Sequence, residues 1–180
     1  MPDDPHEHLK SDPTLGPLVE QHGALTIGPA DDTFRRFTVS IINQQLSSAS
    51  AAAIRERVFD EFEITPVQMA TADTEQLRKT GLSRQKIEYI KNIADAYLER
   101  DLGLDYFDGK DDDTVMAELT EIKGVGTWTA KMYLMFCLGR PDVFPVEDLG
   151  IRKGMQRLYT DGMTQDEMIE AAIPWRPYRS

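Results

Sequence analysis

Apolar residues along the chain recur at intervals of three and four, the spacing that places them on one side of a helix. Phe34, Phe37 and Ile41 form one stripe, Ile54, Val58 and Phe62 a second, and Ile87, Ile90, Ala94 and Tyr97 a third. The breaks agree with this period. Gly81 followed by Ser83 reads as a helix end and a new N-cap, Thr114 opens TVMAELTEI, and Gly139 closes the helix that begins near Thr127. Thr164 with Glu167 spells a capping box for a last helix before Pro174. No run of four or more alternating residues is bounded by turn signals, so an all-α fold is expected. Pro2, Pro5, Pro13 and Pro17 mark residues 1–30 as an extended arm, leaving 31–180 as the helical domain.

Charge adds a complication. The 180 residues carry a formal charge of −11, which argues against a polyanionic partner until its distribution is read. Residues 78–91 (RKTGLSRQKIEYIK) hold five basic side chains against Glu88, and residues 119–157 hold six against four. Acidic stretches thus surround two basic windows that an anion can use. The N-terminus lacks an apolar signal-peptide core and no apolar run could span a bilayer, so a soluble intracellular protein is expected. The single cysteine, Cys137, excludes an internal disulfide and a four-cysteine cluster.

Residues 119–157 are the most specific stretch. Leu119 and Ile122 give an amphipathic turn, Gly124-Val125-Gly126 follows, and Thr127 is placed to cap a second helix. Helix, glycine hairpin, helix lets backbone approach a ligand and points N–H groups and a positive dipole end outward, an arrangement suited to phosphate. An ordinary tight turn between helices has the same glycines. Beyond the hairpin, a helix over Thr127–Leu138 runs about 18 Å away, and nine residues can span roughly 30 Å back. That return can place Asp148 beside Trp128, at the start of the helix marked by Leu149, Arg152, Met155 and Leu158. A carboxylate there is held ionised by the dipole and by backbone N–H groups, whether or not it does more than cap.

The hairpin, the loop LGRPDVFPVED, and the segments FTVSIINQQLSSASAAAIRERV, GLSRQKIEYIKNIA and WRPYRS together resemble the helix-hairpin-helix (HhH-GPD) DNA glycosylase superfamily. Within it they resemble the DNA-3-methyladenine glycosylase II family, and the likeness extends from about residue 34 onward. It implies a two-lobed helical fold with a cleft between the lobes, here in a short form without the β-rich lobe of larger members. The implied activity is monofunctional removal of alkylated purines from double-stranded DNA by a monomer.

By the same resemblance Asp148 is the catalytic residue, opposing the positive charge that builds on the deoxyribose as the glycosidic bond breaks. Trp128 stands where bifunctional members carry a Schiff-base lysine, so no strand cleavage is expected. Trp128, Tyr133, Trp175 and Tyr178 become the walls of the base pocket, with Tyr133 also fitting a plain core position. Gln44, Gln45 and Leu46 supply the wedge that fills the gap left by an extruded base. Lys123, Gly124, Val125, Gly126 and Thr127 face the DNA backbone. The carbonyls of Thr120, Ile122 and Val125 resemble a loop that binds Na+ or K+. No cofactor is required, and the cysteine count rules out an iron–sulfur cluster. His6, His8 and His22 are read as exposed bystanders. The competing readings are a non-catalytic hairpin module that grips DNA backbone and a bifunctional glycosylase/lyase.

Overall fold

A computed structural model describes residues 4–23, 25–100 and 102–180. In chain order the helices are α1 (Pro5–Lys10), α2 (Gly16–His22), α3 (Thr33–Asn43), α4 (Ser48–Glu61), α5 (Pro66–Thr71) and α6 (Thr74–Lys79). They continue with α7 (Arg84–Arg100), α8 (Asp112–Thr120), α9 (Thr127–Phe136), α10 (Leu149–Leu158) and α11 (Gln165–Ala171). Short 3-10 turns occur at Asp105–Phe107 and Ile173–Trp175. The described residues contain no strand, in line with the all-α expectation. Among them no helix is long and apolar enough to cross a membrane.

The chain divides into two compact units. One is Pro29–Leu138; the other joins Met1–Gly28 to Gly139–Ser180. The expected boundary, an arm over 1–30 before a domain over 31–180, is therefore replaced by a unit built from both ends of the sequence.

In the unit Pro29–Leu138, all three predicted stripes face inward. Phe34, Phe37, Ile41, Val58, Phe62, Ile87, Ile90, Ala94 and Tyr97 are buried, with only Ile54 left at the margin. α3 packs on α7 and α9, α5 lies along α7, and α8 packs against α9. The helix ends follow side-chain chemistry. Gly81 turns the chain with φ 102°, and Ser83 Oγ then accepts the Lys86 N–H at 3.2 Å. α8 begins two residues earlier than its threonine suggested, because Asp111 is the N-cap and accepts the Thr114 N–H at 2.7 Å.

In the other unit the N-terminal segment is helical, contrary to the extended arm expected of it. Pro5 and Pro17 fall in the first turns of α1 and α2, where a missing N–H removes no helical bond. Leu9 and Leu15 then pack on a core of Phe144, Val146, Met155, Met168, Ala172 and Trp175. The capping box of α11 forms as predicted, with Thr164 and Glu167 exchanging hydrogen bonds.

Candidate nucleic-acid interface and active site

The glycine hairpin is anchored by its apolar residues and leaves its polar backbone outward. Ile122 and Val125 are buried, whereas Lys123, Gly126 and Thr127 are exposed. Ile122 N–H donates to Leu119 O at 3.1 Å and Val125 N–H to Ile122 O at 2.9 Å, which closes the turn. Gly124 takes φ 105° and lies directly on the Tyr89 ring. Asn92 Nδ2 donates to Lys123 O at 3.0 Å, and the Lys123 ammonium pairs with Glu88. The Glu88 hydrogen bond raises the Lys123 pKa above its usual value, so the side chain stays cationic.

The N-cap of α9 is Gly126, not Thr127, which is the first helical residue. Gly126 has no side chain to bond the first-turn N–H groups from within. A glycine N-cap thus suits an external anion better than the threonine cap expected from sequence.

The candidate wedge turn follows α3 in the same unit. Gln45 and Leu46 are exposed, and Gln45 adopts φ 54°. Gln44 is half-buried and points the other way: its Nε2 donates to Thr129 Oγ1 at 2.9 Å and to Gly124 O at 3.4 Å. Gln44 therefore ties the turn to the hairpin and its following helix, while its two neighbours project.

Two of the four aromatic pocket candidates are core residues. Tyr133 is fully buried, its hydroxyl donates to Leu102 O at 2.7 Å, and its ring meets Phe37 and Phe107 edge-on at 4.7 and 5.6 Å. Burial pushes its phenol well above the ordinary tyrosine range. Trp175 is 6% exposed inside the core of its own unit, edge-on to Phe144 at 6.1 Å. Aromatic identity alone does not separate a pocket wall from a core filler. Trp128, in the first turn of α9, and Tyr178 are half-buried and keep surface a ligand can reach.

Asp148 is the N-cap of α10. Its Oδ1 accepts the Gly150 N–H at 2.7 Å and the Ile151 N–H at 3.1 Å, and its own N–H donates to Pro145 O at 2.8 Å. These bonds hold the carboxylate in one orientation. The loop that delivers it is held from a direction the sequence did not suggest. Arg179 grips both carboxylate oxygens of Asp142, at 2.5 Å from Nε and 2.9 Å from Nη2. Ser180 Oγ donates to Arg140 O at 2.6 Å and accepts the Val143 N–H at 2.9 Å. Arg179 and Ser180, the RS of WRPYRS, thus fasten the loop that carries Asp148.

Histidines expected to be bystanders also make bonds. His8 Nε2 meets Pro174 O at 3.1 Å and its ring lies edge-on to Tyr178 at 5.5 Å, while His6 Nε2 accepts the Leu25 N–H at 2.8 Å. The basic window 78–91 is less available than its count implied. Arg78 pairs with Glu75 at 3.0 Å, Lys91 Nζ donates to Ala72 O at 2.6 Å, and Lys86 is turned onto backbone carbonyls. Lys79 and Arg84 remain exposed.

α8, the glycine hairpin and α9 together place the chain in the helix-hairpin-helix class. The chain belongs to the HhH-GPD superfamily of base excision DNA repair proteins, whose family model matches residues 38–177. It is 32% identical over 174 residues to the DNA-3-methyladenine glycosylase of Saccharomyces cerevisiae, covering 86% of this chain and 59% of that protein. The 3-methyladenine DNA glycosylase of Schizosaccharomyces pombe, solved with abasic DNA, shares 28% identity and a TM-score of 0.88 over 97% of this chain and 90% of that one. The DNA-3-methyladenine glycosidase of Bacillus halodurans gives 34% identity and a TM-score of 0.80 over 98% and 85%. The chain spans about three fifths of the first curated relatives it matches, 62% of a Bacillus subtilis protein and 59% of the yeast one.

Proposed function

We propose that this protein is a monofunctional DNA glycosylase that binds double-stranded DNA as a monomer, extrudes an alkylated purine and hydrolyses its glycosidic bond, leaving an abasic site. The observation that carries this reading is Asp148, a carboxylate fixed by two N–H groups at the start of α10. As the base departs, positive charge accumulates on the deoxyribose, and a carboxylate already oriented stabilises it without reorganising. The same group can orient the attacking water. An N-alkylated purine is itself cationic and leaves readily, so the site needs no strong general acid.

The other roles follow from position. The Gly124–Gly126 backbone and the first turn of α9 take a DNA phosphate. The half-buried Trp128 stacks on the extruded, positively charged ring, a cation–π contact. Tyr178 supplies an aromatic face in its own unit, and Gln45 and Leu46 fill the vacated place in the duplex. With tryptophan at position 128, no amine is offered there for a Schiff base. A Na+ or K+ ion at the hairpin would be held by the neutral carbonyls of Thr120, Ile122 and Val125, steadying the turn against a phosphate. The Ile122 carbonyl would share that ion with the Val125 N–H. The DNA-bound Schizosaccharomyces relative supports the choice of partner.

The test is a panel of duplexes with one modified base each, scored separately for free base and for strand scission. Release of alkylated purines without scission is expected. Binding without release would leave a backbone-gripping module, and a covalent adduct trapped by borohydride would establish a lyase.

A further inference from the structure

The wedge turn is held in an unfavourable backbone conformation. Among the described residues, Gln45 is the sole non-glycine with positive φ, 54°. Side chains rarely occupy the left-handed region, and where they do the surroundings must hold them there. The chain solves the same geometric problem differently at the end of α6, where Gly81 takes φ 102° and a glycine suffices. A glutamine at position 45 keeps a side chain where a glycine would be easier, so the turn needs both the left-handed bend and something to project from it.

The restraint comes from α7. Lys86 Nζ donates to Ile42 O and to Gln44 O, each at 2.7 Å. Both carbonyls lie at the C-terminal end of α3, where orphan acceptors and the negative end of the dipole favour a cation. Gln44 O belongs to the peptide that joins Gln44 to Gln45. Holding that oxygen fixes the peptide plane, and with it the entry angle of Gln45. Lys86 is itself held, since its backbone N–H donates to Ser83 Oγ at 3.2 Å and its side chain is half-buried. Gln44 Nε2 secures the opposite flank on Thr129.

We infer that Lys86 is a positioning residue that presets the Gln45-Leu46 turn for insertion into the duplex. This inference rests on the glycosylase reading. A turn preset before encounter inserts its side chain without first reorganising, so Lys86 acts on the extrusion step and not on phosphate binding.

The experiment compares Lys86→Met and Lys86→Arg with the unmodified protein on an alkylated duplex carrying 2-aminopurine beside the lesion. Single-turnover base release, its half-saturating protein concentration, and the 2-aminopurine signal of unstacking are all recorded. Lys86→Met should slow base release by about tenfold or more and lose most of the fluorescence rise, with half-saturation changed by less than about threefold. Lys86→Arg, which can still donate to both carbonyls, should stay within about threefold. A folded Lys86→Met protein with unchanged release and fluorescence overturns the inference, as does a loss seen only in half-saturation. Should Lys86→Met not fold, amine acetylation of the unmodified protein decides. Lys86 should react about tenfold or more slowly than the exposed Lys79, and equal rates overturn the clamp. An unmodified protein that releases no base from any duplex would instead defeat the glycosylase reading, while the acetylation ratio would still report on the clamp.

Discussion

The backbone of Gly124 lies on the ring of Tyr89 so closely that a Cβ built there would stand 2.2 Å from the ring's Cγ and Cδ1. With φ 105°, the position also disfavours any side chain conformationally. Gly124→Ala should therefore destabilise the protein by about 2–4 kcal/mol, combining left-handed strain with overpacking. Thermal unfolding measures the loss. DNA affinity should fall further than stability explains, since the hairpin must move off α7 to accommodate the methyl group.

Asp148 caps α10, and the proposed function gives it a second role that substitution can separate from the first. Asparagine caps a helix about as well as aspartate, so Asp148→Asn should keep the melting temperature while base release falls about 100-fold or more. Asp148→Ala should lose the release and also about 0.5–2 kcal/mol of stability. Equal activity in the asparagine variant would reduce Asp148 to a cap.

The Arg179–Asp142 pair supports Asp148 through the loop between them. Its two parallel contacts require the planar guanidinium, with the Arg179 side chain 11% exposed and the Asp142 side chain 27%. Arg179→Met leaves the partly buried Asp142 carboxylate with only the looser Arg176 pair, whose Nε stands 3.9 Å away, and should cost about 1–3 kcal/mol. Arg179→Lys should recover part of the stability but less of the base-release rate, because a single point contact leaves the loop free to pivot. Calorimetry and single-turnover release separate the two effects.

Much of this was legible in sequence because it depends on local geometry. Gly124 and Gly126, the stripes of α3 and α7, and the capping box at Thr164 are written in spacing alone. Other features depend on what folds beside them. Tyr133 and Trp128 are both aromatic residues of α9, five positions apart, and only packing makes one a core filler and the other half-exposed. Prolines at the starts of α1 and α2 read as breakers until it is known that they occupy first turns. Thr114 marked the start of α8 in the sequence, yet Asp111 is the cap and Thr114 supplies the N–H it accepts. Lys86 counted as a surface charge, since no sequence pattern shows a carbonyl 44 residues away.

The capping box of α11 should be visible in the pH dependence of stability. Thr164 N–H and then Thr164 Oγ1 hold the Glu167 carboxylate, each at 2.8 Å, and lower its pKa below the usual glutamate value. The folded pKa is depressed, so the contribution is complete above the unfolded value and disappears as pH falls through the folded one. Glu167→Gln retains a hydrogen-bonding box but does not titrate. The melting temperatures of the two proteins should therefore differ at neutral pH and converge on acidification, and a constant gap would exclude this origin.

Salt dependence of DNA binding tests how the basic residues are used. A count of charges in residues 78–91 promises five cations for phosphate, yet Arg78, Lys86 and Lys91 are bonded within the protein. In the hairpin, Lys123 is shared with Glu88. Each phosphate neutralised contributes about −0.9 to the slope of log affinity against log salt. With only a few side chains able to reach phosphate, the slope for undamaged duplex should be shallow, about −2 to −4. Neutral backbone N–H groups of the hairpin bind phosphate without adding a cation, so they give affinity that salt weakens little. Glu88→Gln releases Lys123 from its pair and should both tighten binding and steepen the slope by up to about one unit. A slope near −6 in the unmodified protein would mean that the internal bonds of Lys86 and Lys91 give way to DNA, each adding about −0.9.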